Sequence, residues 1–179
     1  ISGEQLILVR FEEPTEGIWV IRVYGEGTIH NGVFNIWLPI SQFLHSRTTF
    51  LEASPYVTLT EPSYAQNVIT VSSYNDVNNS FYIESGRGFA RNGLIKPDLA
   101  APGVNVSTIE GMQTGSSLSG SFTAGAVAQF MQWAVVEDHR SFVTNREIKN
   151  HFIRGADRQP NIVYPSREWG FGRLNIAQV

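Results

Sequence analysis

The 179-residue sequence contains no cysteine. That excludes disulfides, thiolate metal ligands and thiol nucleophiles, without placing the protein in any compartment. Charge is scarce too. The 13 Lys plus Arg and 16 Asp plus Glu give a net charge of −3, with no cluster of basic residues. Nucleic acid is therefore not an expected partner. The longest apolar run, 124–136, is interrupted by Gln129 and Gln132 and is too short to span a bilayer, so no membrane partner is expected either. The opening ISGEQLILVR lacks a basic segment followed by an apolar one, so no signal peptide is visible. Ile rather than Met at position 1 fits a piece of a longer protein.

Cofactor signatures are also lacking. GRGFARNG, 86–93, has no strand–loop–helix context for cradling a phosphate. NDVNNS, 75–80, carries one carboxylate and no trailing Glu, so it reads as a turn between strands and not as a Ca²⁺ loop. No cofactor or metal is expected. The sequons at Asn78 and Asn105 arise easily by chance. What is present is 42% hydrophobic residues, enough for a globular protein with a real core.

The first third is patterned as strands. In GIWVIRVYGEG, Trp19, Ile21 and Val23 alternate with Ile18, Val20, Arg22 and Tyr24. A turn at His30–Gly32 leads into VFNIWLPI, and TTFLEA and YVTLTEP follow. Short, closely spaced strands predict an antiparallel β-sandwich of jelly-roll or Greek-key type for residues 1–62. Trp19, Tyr24, Phe34, Trp37 and Phe50 are expected in its core rather than on a sugar-binding surface.

Past Pro62 the texture becomes α/β. NVITVSSYN, 67–75, reads as a buried strand and SFYIES, 80–85, as a second, followed by a loop-rich stretch to about residue 108. Residues 117–137 predict a helix, apolar nearly all round and hence central. A second helix starts at Thr144, where T-N-R-E is a capping box, and ends at Gly155.

The stretch GSSLSG, 115–120, raises the functional question. A serine becomes a nucleophile only when a base takes its proton and donors stabilise the resulting oxyanion. A helix N-terminus offers such donors as free backbone N–H groups. Serine at a helix start is equally the commonest cap, and several of Ser116, Ser117, Ser119 and Ser121 are expected to be caps and nothing more.

The motif GSSLSGSFTAG, 115–125, resembles the G-T-S-M-A-x-P-H-x-A-G signature of the subtilisin-like serine proteases, with Ser117 on the nucleophile. KPDLAAPGV (96–104), SGRG (85–88) and WGFGRLN (169–175) resemble three further blocks of that family in order and spacing. The resemblance covers about 67–179 and implies the C-terminal part of a parallel-sheet subtilisin core, assigned to residues 63–179. It also implies acyl-enzyme chemistry at Ser117, with its own backbone N–H in the oxyanion site, and a protein or peptide substrate. The β-rich first third resembles the jelly roll inserted in the Csp-type clostridial germination proteases. That implies activation of another enzyme's pro-form, and an extracytoplasmic or spore-associated location.

The chain departs from the family pattern at Leu118, Ser121 and Phe122, where Met, Pro and His are usual. None of these removes a catalytic atom. More consequential, none of His30, His45, His139 and His151 lies in an H-G-T-H context, and none of Asp76, Asp98, Asp138 and Asp157 in a D-S/T-G context. The family's oxyanion Asn, in an A-G-N-like segment, has no counterpart either. Removal of one such donor costs roughly 10² to 10³ in rate, a figure that itself comes from a subtilisin. The expectation is a chain inactive alone, which either self-associates or packs against a missing N-terminal half of the protease domain. The non-enzymatic alternative is a pseudoprotease that recognises partners through its jelly-roll part. His139, after the long helix, is expected to be structural and solvated.

Overall fold

The computed structural model describes residues 6–140 and 142–178. The chain divides into two compact units, Ile1–Ala53 and Ser54–Val179.

Among the described residues of the first unit there is no β-strand, and the only regular element is a 3₁₀ turn, Ser41–Phe43. This corrects the expectation of antiparallel jelly-roll strands. The alternation at Trp19–Tyr24 shows which residues could face a core, but strand formation needs hydrogen-bonded neighbours on the edges and a second layer over the apolar face. Those partners are lacking among the described residues. Trp19, Tyr24, Phe34 and Trp37 are exposed, correcting their expected core placement. Local contacts remain: Phe11 meets Trp19 edge-on at 5.2 Å, the Trp19 indole donates to the Thr15 carbonyl, and Arg47 pairs with Glu16 at 2.7 Å.

The second unit is α/β. Strand β1, Val71–Asn75, pairs antiparallel with β2, Ser80–Phe81, and parallel with β3, Leu99–Pro102, in the order β2-β1-β3. The register sets Val71 against Leu99 and Tyr74 against Pro102. A parallel pair buried on both faces reads as a continuous run of apolar or small residues. β3 does so, with Leu99, Ala100 and Ala101 fully buried. β3 lies within the stretch that the sequence suggests is loop-rich; Ala lacks intrinsic β propensity. The close approach of a helix favours Ala there instead. A small antiparallel hairpin follows, β4 Val106–Thr108 and β5 Gly111–Gln113.

The C-terminal segment completes the sheet on the far side of β3. The Ala100 N–H donates to the Gly172 carbonyl and the Leu174 N–H to that of Ala100. Gly170 permits this approach: its φ is +56°, and a Cβ there would overlap the Pro97 and Asp98 carbonyls.

Helix α1, Ser116–Met131, runs on into a π turn, Gln132–Val136. Ser119, Thr123, Ala126, Phe130 and Ala134 are buried at i, i+3 and i+4 spacing. Ala126, Phe130 and Ala134 meet Leu99 of β3, and Ile148 and Phe152 of α2, Asn145–Arg154, in one core. The expected burial all round is corrected: Ala124 and Ala128 on the opposite side are exposed, as is Trp133 at 42%. The described residues supply a layer on one side of the helix only. Helix α2 follows its sequence signals. Thr144 Oγ1 accepts from the Glu147 N–H, Glu147 Oε2 accepts from the Thr144 N–H at 2.8 Å, and Gly155 is the C-cap.

Candidate active site

Ser117 is the second residue of α1 and is exposed. The N-cap is Gly115, in extended backbone at φ 167°, and no side chain caps this helix. The serines expected as caps are not caps. Glycine takes the N-cap position, so Ser116 and Ser117 already lie inside the helix. Ser119 points into the protein, while Ser121 Oγ donates back to the Ser117 carbonyl at 3.1 Å and Thr123 Oγ1 to that of Ser119 at 2.9 Å. The first-turn N–H groups of a helix lack intrahelical acceptors, and together with the helix dipole they favour negative charge. At α2 the capping box meets that need. At α1 no side chain does, and a hydroxyl stands at the exposed turn.

The turn is anchored to the C-terminal ends of the parallel strands. Gly115 N–H donates to the Gly103 carbonyl at 2.8 Å, and Gly103 N–H donates to the Tyr74 carbonyl at 3.0 Å. Ser119 Oγ lies 2.8 Å from Ser73 Oγ, 2.9 Å from the Ala101 carbonyl and 3.0 Å from that of Pro102. Ser85 of the SGRG stretch accepts from the Ser73 N–H at 3.0 Å. Three sequence blocks that were separate in the chain, 85–88, 96–104 and 115–125, thus brace one corner. Ser73 carries no motif in the sequence, and Ser119 was expected there only among the possible helix caps. Their signal was faint: polar residues at positions where an apolar strand and helix face inward.

Among the described residues of the second unit, no histidine is placed to serve as the base. His139 stacks on Trp133 at 4.9 Å with its Nδ1 2.9 Å from the Trp133 carbonyl, and His151 packs on Phe130 at 5.1 Å. At 1.5 Å rise per residue, those rings lie roughly 20 Å along α1 from Ser117. His139 is exposed, in the structural setting expected of it. Burial lowers the His151 pKa, with Arg140 and Arg154 adding to the effect. Each carboxylate nearby is engaged elsewhere. Asp76 accepts from the Tyr74 hydroxyl, whose pKa is pushed up to about 12 by burial and by the Asp76 charge. Asp157 is paired with Arg173, and Asp98 with Lys96 at 2.6 Å. An open depression of about 350 Å³ is lined by Tyr74, Asp76, Phe122, Asp157 and Arg173 among others, but not by Ser117. Burial works against the Arg173 charge, yet the bond to Asp157 and the charges of Asp157, Tyr74 and Asp76 together outweigh it and raise that pKa. Among the described residues, no three or more His, Asp or Glu gather as metal ligands.

The family model described as Subtilase family matches residues 51–172, more than half of the chain. The chain belongs to the subtilase family. Among solved structures it is similar to the Clostridium perfringens CspB protease, at 37% identity and a TM-score of 0.71, over 75% of this chain and 30% of that one. It also matches the prenylagaramide maturation protease PagA at 18% identity and a TM-score of 0.57, over 69% of this chain and 45% of that one, a likeness of fold alone. The chain thus spans less than half the length of either of those proteins. Comparison with curated proteins gives no match. The parallel β1–β3 pair with α1 against it is, accordingly, a partial subtilisin-like core.

Proposed function

We propose that this chain is the C-terminal part of a subtilisin-like serine endopeptidase in which Ser117 is the nucleophile and its own backbone N–H contributes to the oxyanion site. The observation that carries this reading is the exposed hydroxyl on a helix turn that no side chain caps, braced against the ends of parallel strands. In such chemistry the Ser117 oxygen attacks a peptide carbonyl while a base removes its proton, and the developing oxyanion is met by N–H groups already in place. The base and its orienting carboxylate come from an N-terminal half of the domain, which is this chain's principal partner; the substrate is a protein or peptide. In this reading, as the resemblance to Csp-type proteases implies, the enzyme cuts the pro-form of another enzyme during germination. Residues 1–62 belong, in the same reading, to an inserted domain whose remaining part, outside this chain, would supply the neighbours that the apolar alternation lacks.

The test is labelling with a fluorophosphonate followed by peptide mapping. This chain alone should stay unlabelled, because a serine without a base is an ordinary alcohol. The complete protein should be labelled at Ser117, and Ser117→Ala should abolish the label. A complete protein that remains unlabelled would favour the pseudoprotease reading, in which recognition, not hydrolysis, is the function.

A further inference from the structure

We propose that Ser119, together with Ser73, is a positioning pair that fixes where Ser117 stands; this rests on the reading of Ser117 as nucleophile. Ser119 is fully buried, and two residues along a helix turn it some 200° away from the exposed Ser117. One turn therefore carries an anchor on its inner side and the reacting hydroxyl on its outer side.

The hydroxyls close a consistent set of bonds. A serine offers one proton and two lone pairs. Ser119 Oγ is within bonding distance of Ser73 Oγ and of the Ala101 and Pro102 carbonyls. Since the carbonyls can only accept, the set is satisfied when the single Ser119 proton goes to them and Ser73 Oγ–H donates to Ser119. Ser73 is itself fully buried on β1, between its parallel neighbour β3 and the helix. The corner has no slack. A Cβ on Gly103 would overlap Ser119 Oγ and come within 2.9 Å of Ser73 Cβ.

The placement of the tethers along the chain matters most. Gly115 N–H, on one side of Ser117, is held by the Gly103 carbonyl; Ser119 Oγ, on the other side, is held by Ala101, Pro102 and Ser73. Ser117 lies midway between two attachments to the strand ends. Sliding or rotating the turn enough to shift the nucleophile must break one of them. An alanine at 119 would keep the helix and its packing but leave the inner side of the turn without a directional bond. Preorganisation of this kind acts on the reaction rate and not on substrate affinity.

The experiment uses the complete protein and its Ser119→Ala, Ser119→Cys and Ser73→Ala variants. Competent sites are first counted by fluorophosphonate titration, so that any misfolded fraction drops out. Then kcat and KM are measured per titrated site on a peptide substrate. Displacements near 1 Å cost about 10² in rate, so Ser119→Ala should lower kcat per site by about 10- to 100-fold with KM within about twofold. Ser73→Ala, which leaves the Ser119 proton on its carbonyls, should give a smaller loss of the same sign, and Ser119→Cys a partial recovery. If wild type titrates and every variant keeps kcat per site within twofold, the pair is packing alone and the proposal falls. If wild type does not titrate, the nucleophile reading fails, and the positioning role with it.

Discussion

Lys96 shows most plainly how one side chain can hold this unit together. It is 1% exposed, and its ammonium donates to Asp98 Oδ2 at 2.6 Å and to the Val68 carbonyl at 2.7 Å. Asp98 also accepts from the Thr70 N–H and lies 3.5 Å from Lys149 on α2. The only two lysines in the sequence thus meet on one carboxylate. Burial lowers the Lys96 pKa, and the bond to Asp98 pulls it back up. Removing one partner of a buried pair strands the other, at a cost of about 3–5 kcal/mol. Lys96→Met should therefore lower the unfolding free energy by that much in urea titrations, despite its similar volume. Ser117→Ala should behave in the opposite manner. The side chain is exposed and caps nothing, so stability should change by no more than about 0.5 kcal/mol. Labelling of the complete protein should nonetheless vanish, while Ser116→Ala keeps it. Label that survives Ser117→Ala and disappears in Ser116→Ala would shift the register of the motif by one residue.

At the scale of elements, the two helices divide the labour. α2 is finished by its own side chains: the Thr144–Glu147 box at one end, and His151 and Arg154 in its last turn at the other. Its inner face, Ile148 and Phe152, is committed to the core. Thr144→Ala should cost about 1 kcal/mol, read as a shift in the urea midpoint. The pH dependence has a definite sign. Hydrogen bonds from the Thr144 backbone and hydroxyl lower the Glu147 pKa below its ordinary value of 4.5. A carboxylate depressed in the folded state contributes fully above its unfolded pKa, and that contribution is lost as pH falls through the lower, folded value. Amide exchange at the first turn of α2 should accelerate in that acid window, and Glu147→Gln should flatten the response. An unchanged profile in Glu147→Gln would mean that the box contributes nothing to the titration. α1, in contrast, leaves its N-terminus without a side-chain cap, the end at which a reacting oxygen is proposed to develop charge.

For the whole molecule the telling feature is uneven burial. One side of α1 is packed against β1 and β3, while Phe122, Ala124, Ala128 and Trp133 remain in solvent. Apolar surface of that extent favours association. Sedimentation of the chain by itself should give concentration-dependent oligomers, and Ala128→Asp should disperse them without loss of helix signal. A monomer that persists at high concentration would count against that. In the complete protein the same face should become protected, since the proposed N-terminal half would cover it.

The sequence by itself determined what depends on near neighbours. The Thr144–Glu147 box, the stop at Gly155 and the turn at 76–79 each rest on bonds within a few residues. They stand in the structure where the sequence puts them. The family blocks around Lys96, Ser117 and Trp169 were readable for a related reason, since each needs particular residue types at fixed spacing. Tertiary structure alone decided the rest. β3 is a strand because β1 and the C-terminal segment pair with it, not because Leu-Ala-Ala prefers to extend. Ser119 is an anchor because Ser73, 46 residues away, is brought to 2.8 Å. The alternation around Trp19 has the pattern of a strand but no partner among the described residues, and a pattern cannot supply its own hydrogen-bonded neighbour.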